Sequence, residues 1–107
     1  AMSVMASVRP PAVPWVRLRD TSAAHIHHCL DGGALGLIAP LINTVADAEA
    51  FVRESTYPPA GSRSFGPVRA GLLSPTYFAD ADDAIVRWAM IETAPALANV
   101  AAIAAVP

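Results

Sequence analysis

Three short apolar runs constrain the fold of this chain most: PWVRL at 14–18, ALGLIAPLI at 34–42 and AIVRWAMI at 84–91. Short continuous apolar runs bounded by turn signals read as strands buried in a sheet. Each run is followed by a segment that opens with helix-capping residues. Strands that alternate with helices argue for a parallel sheet joined by right-handed crossovers. The strands are expected near 14–18, 35–39 and 84–91, in sequential order, with helices on one side.

The helix signals lie between the runs. Asp20, Thr21 and Ser22 are N-cap candidates for a helix from about Ser22 to Asp31, which Gly32 and Gly33 end. Asn43 or Thr44 opens a second helix through about Ser55, with Ala48, Phe51 and Val52 on one face. Ser74 and Pro75 suit the N-cap and first position of a short helix. Thr93 and Pro95 start a last, alanine-rich helix that ends near Ala105. Before the first strand, AMSVMASVRPP reads as a helix tail stopped by Pro10 and Pro11.

YPPAGSRSFGPVRA, residues 57 to 70, leads from the second helix toward the Ser74-Pro75 helix start. Pro58, Pro59 and Pro67 restrict the backbone, while Gly61 and Gly66 allow turns or close approach. A loop this long is expected to be functional or disordered. Arg63 and Arg69 supply fixed charge, and their bland reading is a rigid connector with solvated arginines.

Composition matters for what surrounds the sheet. Hydrophobic residues make up 54% of the 107 and charged residues 15%. A domain near this size needs polar residues to cover its surface, so the excess apolar surface is expected to meet a partner chain or further parts of the same fold. A net charge of -2 gives no electrostatic footprint for nucleic acid. The apolar stretch from Ala94 to Pro107, interrupted by Asn99, is shorter than the about 20 residues a spanning helix needs. No signal peptide is visible at the N-terminus. The single Cys29 rules out an intrachain disulfide. A cytoplasmic protein is expected.

In parallel α/β folds, functional groups collect at the carboxyl ends of strands. Arg17 lies near the end of the first strand and Glu92 at the end of the third. A carboxylate there is costly unless it is paired or bound to a cation. Glu92 therefore reads as a ligand for a hard cation, or as an acidic residue favoured by a helix dipole. Arg17 could equally pair with Glu92 or another carboxylate. Asp31 sits at a helix carboxyl end, where its charge is disfavoured. It reads as an Asp-Gly turn or as a carboxylate that orients a basic group. His25 and His28 share a helix face, but no third metal ligand accompanies them. Ser62 and Ser64 lack nucleophile partners. Gly32-Gly33 precedes a strand, unlike a dinucleotide fingerprint.

Four segments together resemble the metal-dependent class II pyruvate aldolases grouped with the citrate lyase beta subunit. WVR at 15–17 resembles the family strand that ends in arginine. CLDGGA at 29–34 is similar to its L-D-x-G-A turn, and APLINT at 39–44 to its P-M-V-N-T strand end. YPPAGSRSFGPVRA resembles its long loop, and MIET at 90–93 its metal-ligand strand. The resemblance implies an α/β fold that is part of a (β/α)8 TIM barrel, with residues 1–107 a single partial domain supplying its third, fourth and fifth strands. The family's catalytic histidine, its G-P-x-D metal aspartate and a helix exchanged between subunits would lie outside these residues. Alone, the chain would then be inactive, and the full-length protein would be a homo-oligomer.

By the same resemblance, Arg17 would polarise the keto oxygen of a small 2-oxo-acid substrate. Asp31 would raise the basicity of the histidine, and Glu92 would bind a divalent metal, Mg2+ or Mn2+, with Co2+ as a further option. The reaction implied is cleavage of a 4-hydroxy-2-oxo acid to pyruvate and an aldehyde. The sequence departs from the family at Leu18-Arg19-Asp20, where P-W or P-S-W is frequent. It departs again at Met90, where the oxoheptanedioate enzymes carry glutamine. Two other readings stay open: a non-catalytic α/β interaction module, and a citrate- or malyl-CoA-type lyase.

Overall fold

Trp15–Arg17 (β1), Gly36–Ala39 (β2) and Val86–Ala89 (β3) form one sheet in the order β1-β2-β3, with both pairings parallel. The computed structural model describes Met5, Ser7, Val8 and residues 11–107. The helix tail expected over the first eleven residues lies largely outside the described residues. In register, Trp15 meets Gly36, which meets Val86, and Arg17 meets Ile38, which meets Trp88. Side chains alternate across a strand, so Val16, Leu37 and Ala39 share the other face. That face packs on the helices, and Leu18, Leu37 and Ala39 are fully buried there.

The helices follow from local sequence. In α1 (Ala23–Asp31), Ile26, Cys29 and Leu30 form the buried stripe. Gly33 ends it with φ 99, its N–H on Leu30 O and that of Ala34 on Cys29 O. This is the paired 5→2 and 6→1 hydrogen bonding that a left-handed residue makes possible. In α2 (Val45–Ser55), Thr44 and Asp47 form a reciprocal capping box, and Ala48 and Phe51 face the core. The Thr44 hydroxyl and the Asn43 and Thr44 amides hold the Asp47 carboxyl below the usual carboxylate range. Thr44→Ala should cost about 1 kcal/mol at neutral pH. Because the folded-state pKa of Asp47 is depressed, the contribution is present above the unfolded value. It is lost as pH falls below about 4. Urea midpoints of parent and variant at pH 7 and pH 3 check this, and the gap should narrow at the lower pH.

Between α2 and β3 the structure differs from the sequence reading. The connection does not run as one loop through residue 70. A helix, α3 (Val68–Leu73), starts directly after Pro67. A second, α4 (Tyr77–Ala84), begins later than the Ser74-Pro75 signal suggests, because Ser74 closes a turn through its carbonyl to Tyr77 N at 3.1 Å. Proline at a helix start and serine as a cap are ambiguous by one turn when two short helices abut. The last helix is broken at Asn99 into α5 (Ala94–Ala98) and α6 (Val100–Ala104). The Asn99 side chain leaves the helix to donate to Asn43 O at 2.8 Å, the competition with helix continuity that asparagine brings.

The loop itself is tightly packed. Gly61 lies so close to the end of α2 that a Cβ would stand 2.2 Å from Thr56 O and 2.4 Å from Arg53 O. Pro58-Pro59 is cis. Arg63 is 1% exposed, not solvated. Its guanidinium donates to Asp31 Oδ1 at 2.8 Å and to Tyr77 Oη at 3.1 Å, and lies 4.3 Å from the Tyr57 ring centre. Burial pushes the Tyr57 hydroxyl up to about 12, so this ring stays neutral beside the cation. Arg87 completes the wall by donating to Ser55 Oγ, Ser55 O and Thr56 Oγ1.

The sheet face opposite the helices carries no layer among the described residues. Trp15 lies over Gly36, where a Cβ would stand 2.3 Å from the indole, and meets Trp88 edge-on at 4.6 Å. Trp88 remains 56% exposed and Val86 40%. Part of the high apolar content of the chain therefore lies on an uncovered sheet face. No helix among the described residues is long and apolar enough to cross a membrane.

Candidate functional site

Parallel strands end at one edge, and α1 and α2 run back against them, so the sheet has two chemically distinct edges. At the carboxyl edge stand Arg17, the last residue of β1, and Glu92, just past β3. The ladder continues through Met90 N to Ala39 O at 2.8 Å, which carries the β3 extension toward this edge. β2 lies between the two residues, so two strand spacings of about 5 Å separate their strands. Among the described residues neither Arg17 nor Glu92 has an ion-pair partner, and both side chains are exposed. The structure thus brings them to the same edge without neutralising either.

Glu92 is fixed rather than free. Its Oε1 accepts the Leu41 N–H at 2.9 Å. Leu41 has φ 55, a left-handed backbone that non-glycine residues rarely adopt. Glu92 precedes the N-cap Thr93 of α5, which puts it outside the first helical turn in which a dipole alone would place an acid. The Thr93 hydroxyl accepts Ala96 N at 3.1 Å and donates to Asn43 Oδ1. The Leu41–Glu92 and Asn43–Thr93 contacts tie the β2–α2 turn to the β3–α5 turn, and the Asn99 bond to Asn43 O ties it to the far end of α5. In the sequence, Asn43 and Thr93 read as caps and Asn99 as an interruption. The Leu41 amide has no sequence signal, because nothing local in PLIN requires a positive φ.

Asp31 is at the other edge. α1 runs against the strands, so its carboxyl end lies where the strands begin. Oδ1 of Asp31 is taken by Arg63, while Oδ2 has no hydrogen-bond partner among the described residues. The salt bridge offsets the unfavourable helix-end position. The long loop also sits at this amino edge, away from Arg17 and Glu92. The histidines are dispersed. His25 Nδ1 lies 3.7 Å from Asp20 Oδ2 and His27 Nε2 3.6 Å from Glu54 Oε2, whereas His28 is exposed.

No group of three or more histidine, cysteine or acidic residues among the described residues is arranged to hold a metal. What the carboxyl edge offers is one donor of the right chemistry. Glu92 is an accessible carboxylate with one oxygen fixed by an amide and the other without a hydrogen-bond partner among the described residues. A hard cation takes several oxygens, so Glu92 fits as one member of a larger ligand set.

A sequence model of the family described as HpcH/HpaI aldolase/citrate lyase matches residues 2–107. The chain is 44% identical over 90 residues to a hydroxypyruvate/pyruvate aldolase of Rhizorhabdus wittichii, covering 83% of this chain and 36% of that protein. It is 41% identical over 99 residues to a 4-hydroxy-2-oxovalerate aldolase of Novosphingobium aromaticivorans, covering 91% and 38%. A crystal structure of a family protein from Burkholderia cenocepacia superposes with a TM-score of 0.81 at 28% identity, over 91% of this chain and 40% of that one. The chain thus spans between a third and two fifths of the length of these relatives.

Proposed function

The chain belongs to the HpcH/HpaI aldolase/citrate lyase family, and from that premise we propose that it supplies Arg17 and Glu92 to an aldolase site. The proposed reaction cleaves a 4-hydroxy-2-oxo acid to pyruvate and an aldehyde. The observation that carries the proposal is the placement of an unpaired guanidinium and an unpaired, amide-fixed carboxylate at one strand-end edge. The full-length protein is proposed to act in the cytoplasm as a homo-oligomer.

A divalent cation such as Mg2+, Mn2+ or Co2+, when bound with Glu92 as one donor, would supply Lewis acidity to the oxo-acid end of the substrate. Arg17 presents a permanent positive charge to the keto oxygen. As the C3–C4 bond breaks, its electron pair moves toward C3 and the C2 carbonyl, and the keto oxygen gains negative charge. A donor aimed at such an oxygen is typically worth about 3 kcal/mol in the transition state. The 4-hydroxyl loses its proton to a base as C4 becomes the aldehyde carbon, and C3 of the enolate then takes up a proton to give pyruvate. For Asp31, the proposed role is orientation of a histidine, which would have to reach the amino edge. A second subunit of the full-length protein would bring it there, since Arg17 and Glu92 occupy the opposite edge.

The test is pyruvate release from 4-hydroxy-2-oxo acids by the full-length protein with Mn2+, read by a coupled dehydrogenase. Absence of pyruvate release across a panel of such acids would overturn the assignment. Arg17→Lys should lower kcat about 100-fold and leave Mn2+ affinity within about two-fold. Lysine keeps the charge but loses the planar fork. An equal loss in metal affinity would mean that Arg17 shapes the site instead of meeting substrate.

A further inference from the structure

We propose that the backbone N–H of Leu41 positions Glu92, holding Oε1 so that Oε2 is the oxygen presented at the carboxyl edge. The inference rests on the reading of Glu92 as a cation ligand and says how that ligand is aimed. Leu41 is the one non-glycine residue with positive φ among the described residues, at 55. The residue is 59% exposed, so burial of the leucine does not select this conformation. What the conformation accomplishes is direction: it turns the Leu41 N–H to Glu92 Oε1 at 2.9 Å. Rare backbone conformations persist where surrounding structure holds them, and they cluster at functional sites.

The surrounding structure here is a latch. Asn43, two residues beyond Leu41, accepts the Thr93 hydroxyl on Oδ1, and its carbonyl accepts Asn99 Nδ2 at 2.8 Å. Thr93 and Asn99 flank α5, directly after Glu92. Both turns are thereby pinned to each other on the side that follows the Leu41–Glu92 bond. Met90 N on Ala39 O fixes the strand leading into Glu92. A carboxylate can meet a cation through one oxygen or two. Occupying Oε1 with an amide leaves Oε2 as the free oxygen and fixes the side-chain torsion. Partners that orient a metal ligand in this way alter affinity about 10–100-fold when removed.

The experiment measures Mn2+ dissociation constants of the full-length protein by the electron paramagnetic resonance signal of free Mn2+. The KM for the oxo acid is measured at saturating Mn2+. Leu41→Gly keeps the N–H and adopts positive φ readily, so it should bind Mn2+ within about two-fold of the parent. Leu41→Ile places a β-branched residue where it is disfavoured and should bind about 10-fold more weakly. Asn99→Ala removes an exposed side chain from the latch and should weaken binding in the same direction. In the last two variants KM at saturating Mn2+ should stay within about two-fold, a split that a general loss of structure would not give. If Leu41→Ile does not fold, Asn99→Ala with Leu41→Gly decides the matter. Parent-like binding by Leu41→Ile and Asn99→Ala, with binding lost in Glu92→Gln, would overturn the positioning role and leave the ligand reading intact. Parent-like binding by Glu92→Gln would remove the ligand reading and this inference with it.

Discussion

Glu92→Gln in the full-length protein is expected to weaken Mn2+ binding by about 100-fold or more, and pyruvate release should fall with it. Removal of an outer partner of a metal ligand already costs about 10–100-fold, so loss of a charged donor should reach at least the upper end. Glutamine keeps the shape of glutamate, and its amide oxygen can still accept the Leu41 N–H. Glu92 is exposed and makes no ion pair among the described residues, so little folding energy is at stake. The thermal midpoint should therefore stay near that of the parent. A metal titration of activity for both proteins, beside their melting curves, gives the answer. If the metal dependence is unchanged, Glu92 is not a ligand and the carboxyl edge needs another explanation.

Arg63→Ala should cause the largest loss of stability among single substitutions in the long loop, about 3 kcal/mol or more. The guanidinium is fully buried against the Tyr57 ring and holds both Asp31 and Tyr77. Truncation leaves a cavity, an unpaired Asp31 at a helix carboxyl end and a Tyr77 hydroxyl that keeps only its bond to Leu30 O at 3.5 Å. Breaking one side of a buried pair typically costs about 3–5 kcal/mol. Asp31 is partly exposed, with 27% of its side-chain surface accessible, and that places the estimate at the lower end. Arg63→Lys should recover only part of the loss, because an ammonium can neither bond both partners with a fork nor stack on the ring in the same way. Urea denaturation of the three proteins measures the series. An Arg63→Ala midpoint equal to the parent's would show that the loop, not this side chain, holds the amino edge.

The strands are legible in the sequence because their signals are local. PWVRL, ALGLIAPLI and AIVRWAMI are apolar runs between caps, and each contains a strand, although the third is Val86–Ala89 and not 84–91, because Ala84 still belongs to α4. Thr44 with Asp47, and Gly32 with Gly33, mark helix ends by hydrogen bonds that span only a few residues. The segment after Tyr57 is less legible. Its prolines and glycines announce turns, but Pro67 also starts α3, and composition cannot separate those uses. The bland reading of Arg63 as a solvated residue of a rigid connector does not hold, because it is buried. Its partner Asp31 lies 32 positions away, and no local pattern encodes that meeting.

The sequence alone is enough to put Arg17 and Glu92 at one edge. Once strands alternate with helices in a parallel sheet, every strand must end on the same side, so residues at strand ends share an edge without further information. The family resemblance in the motifs is likewise carried by the residues themselves. Tertiary structure alone decided the rest. It brought Asp31 onto Arg63, 32 positions further along the chain, a pairing that no strand-helix order specifies. It also turned the Leu41 amide toward Glu92, 51 residues away in the chain. A backbone angle of that kind is selected by distant hydrogen bonds through Asn43, Thr93 and Asn99, and those exist only after the sheet has assembled.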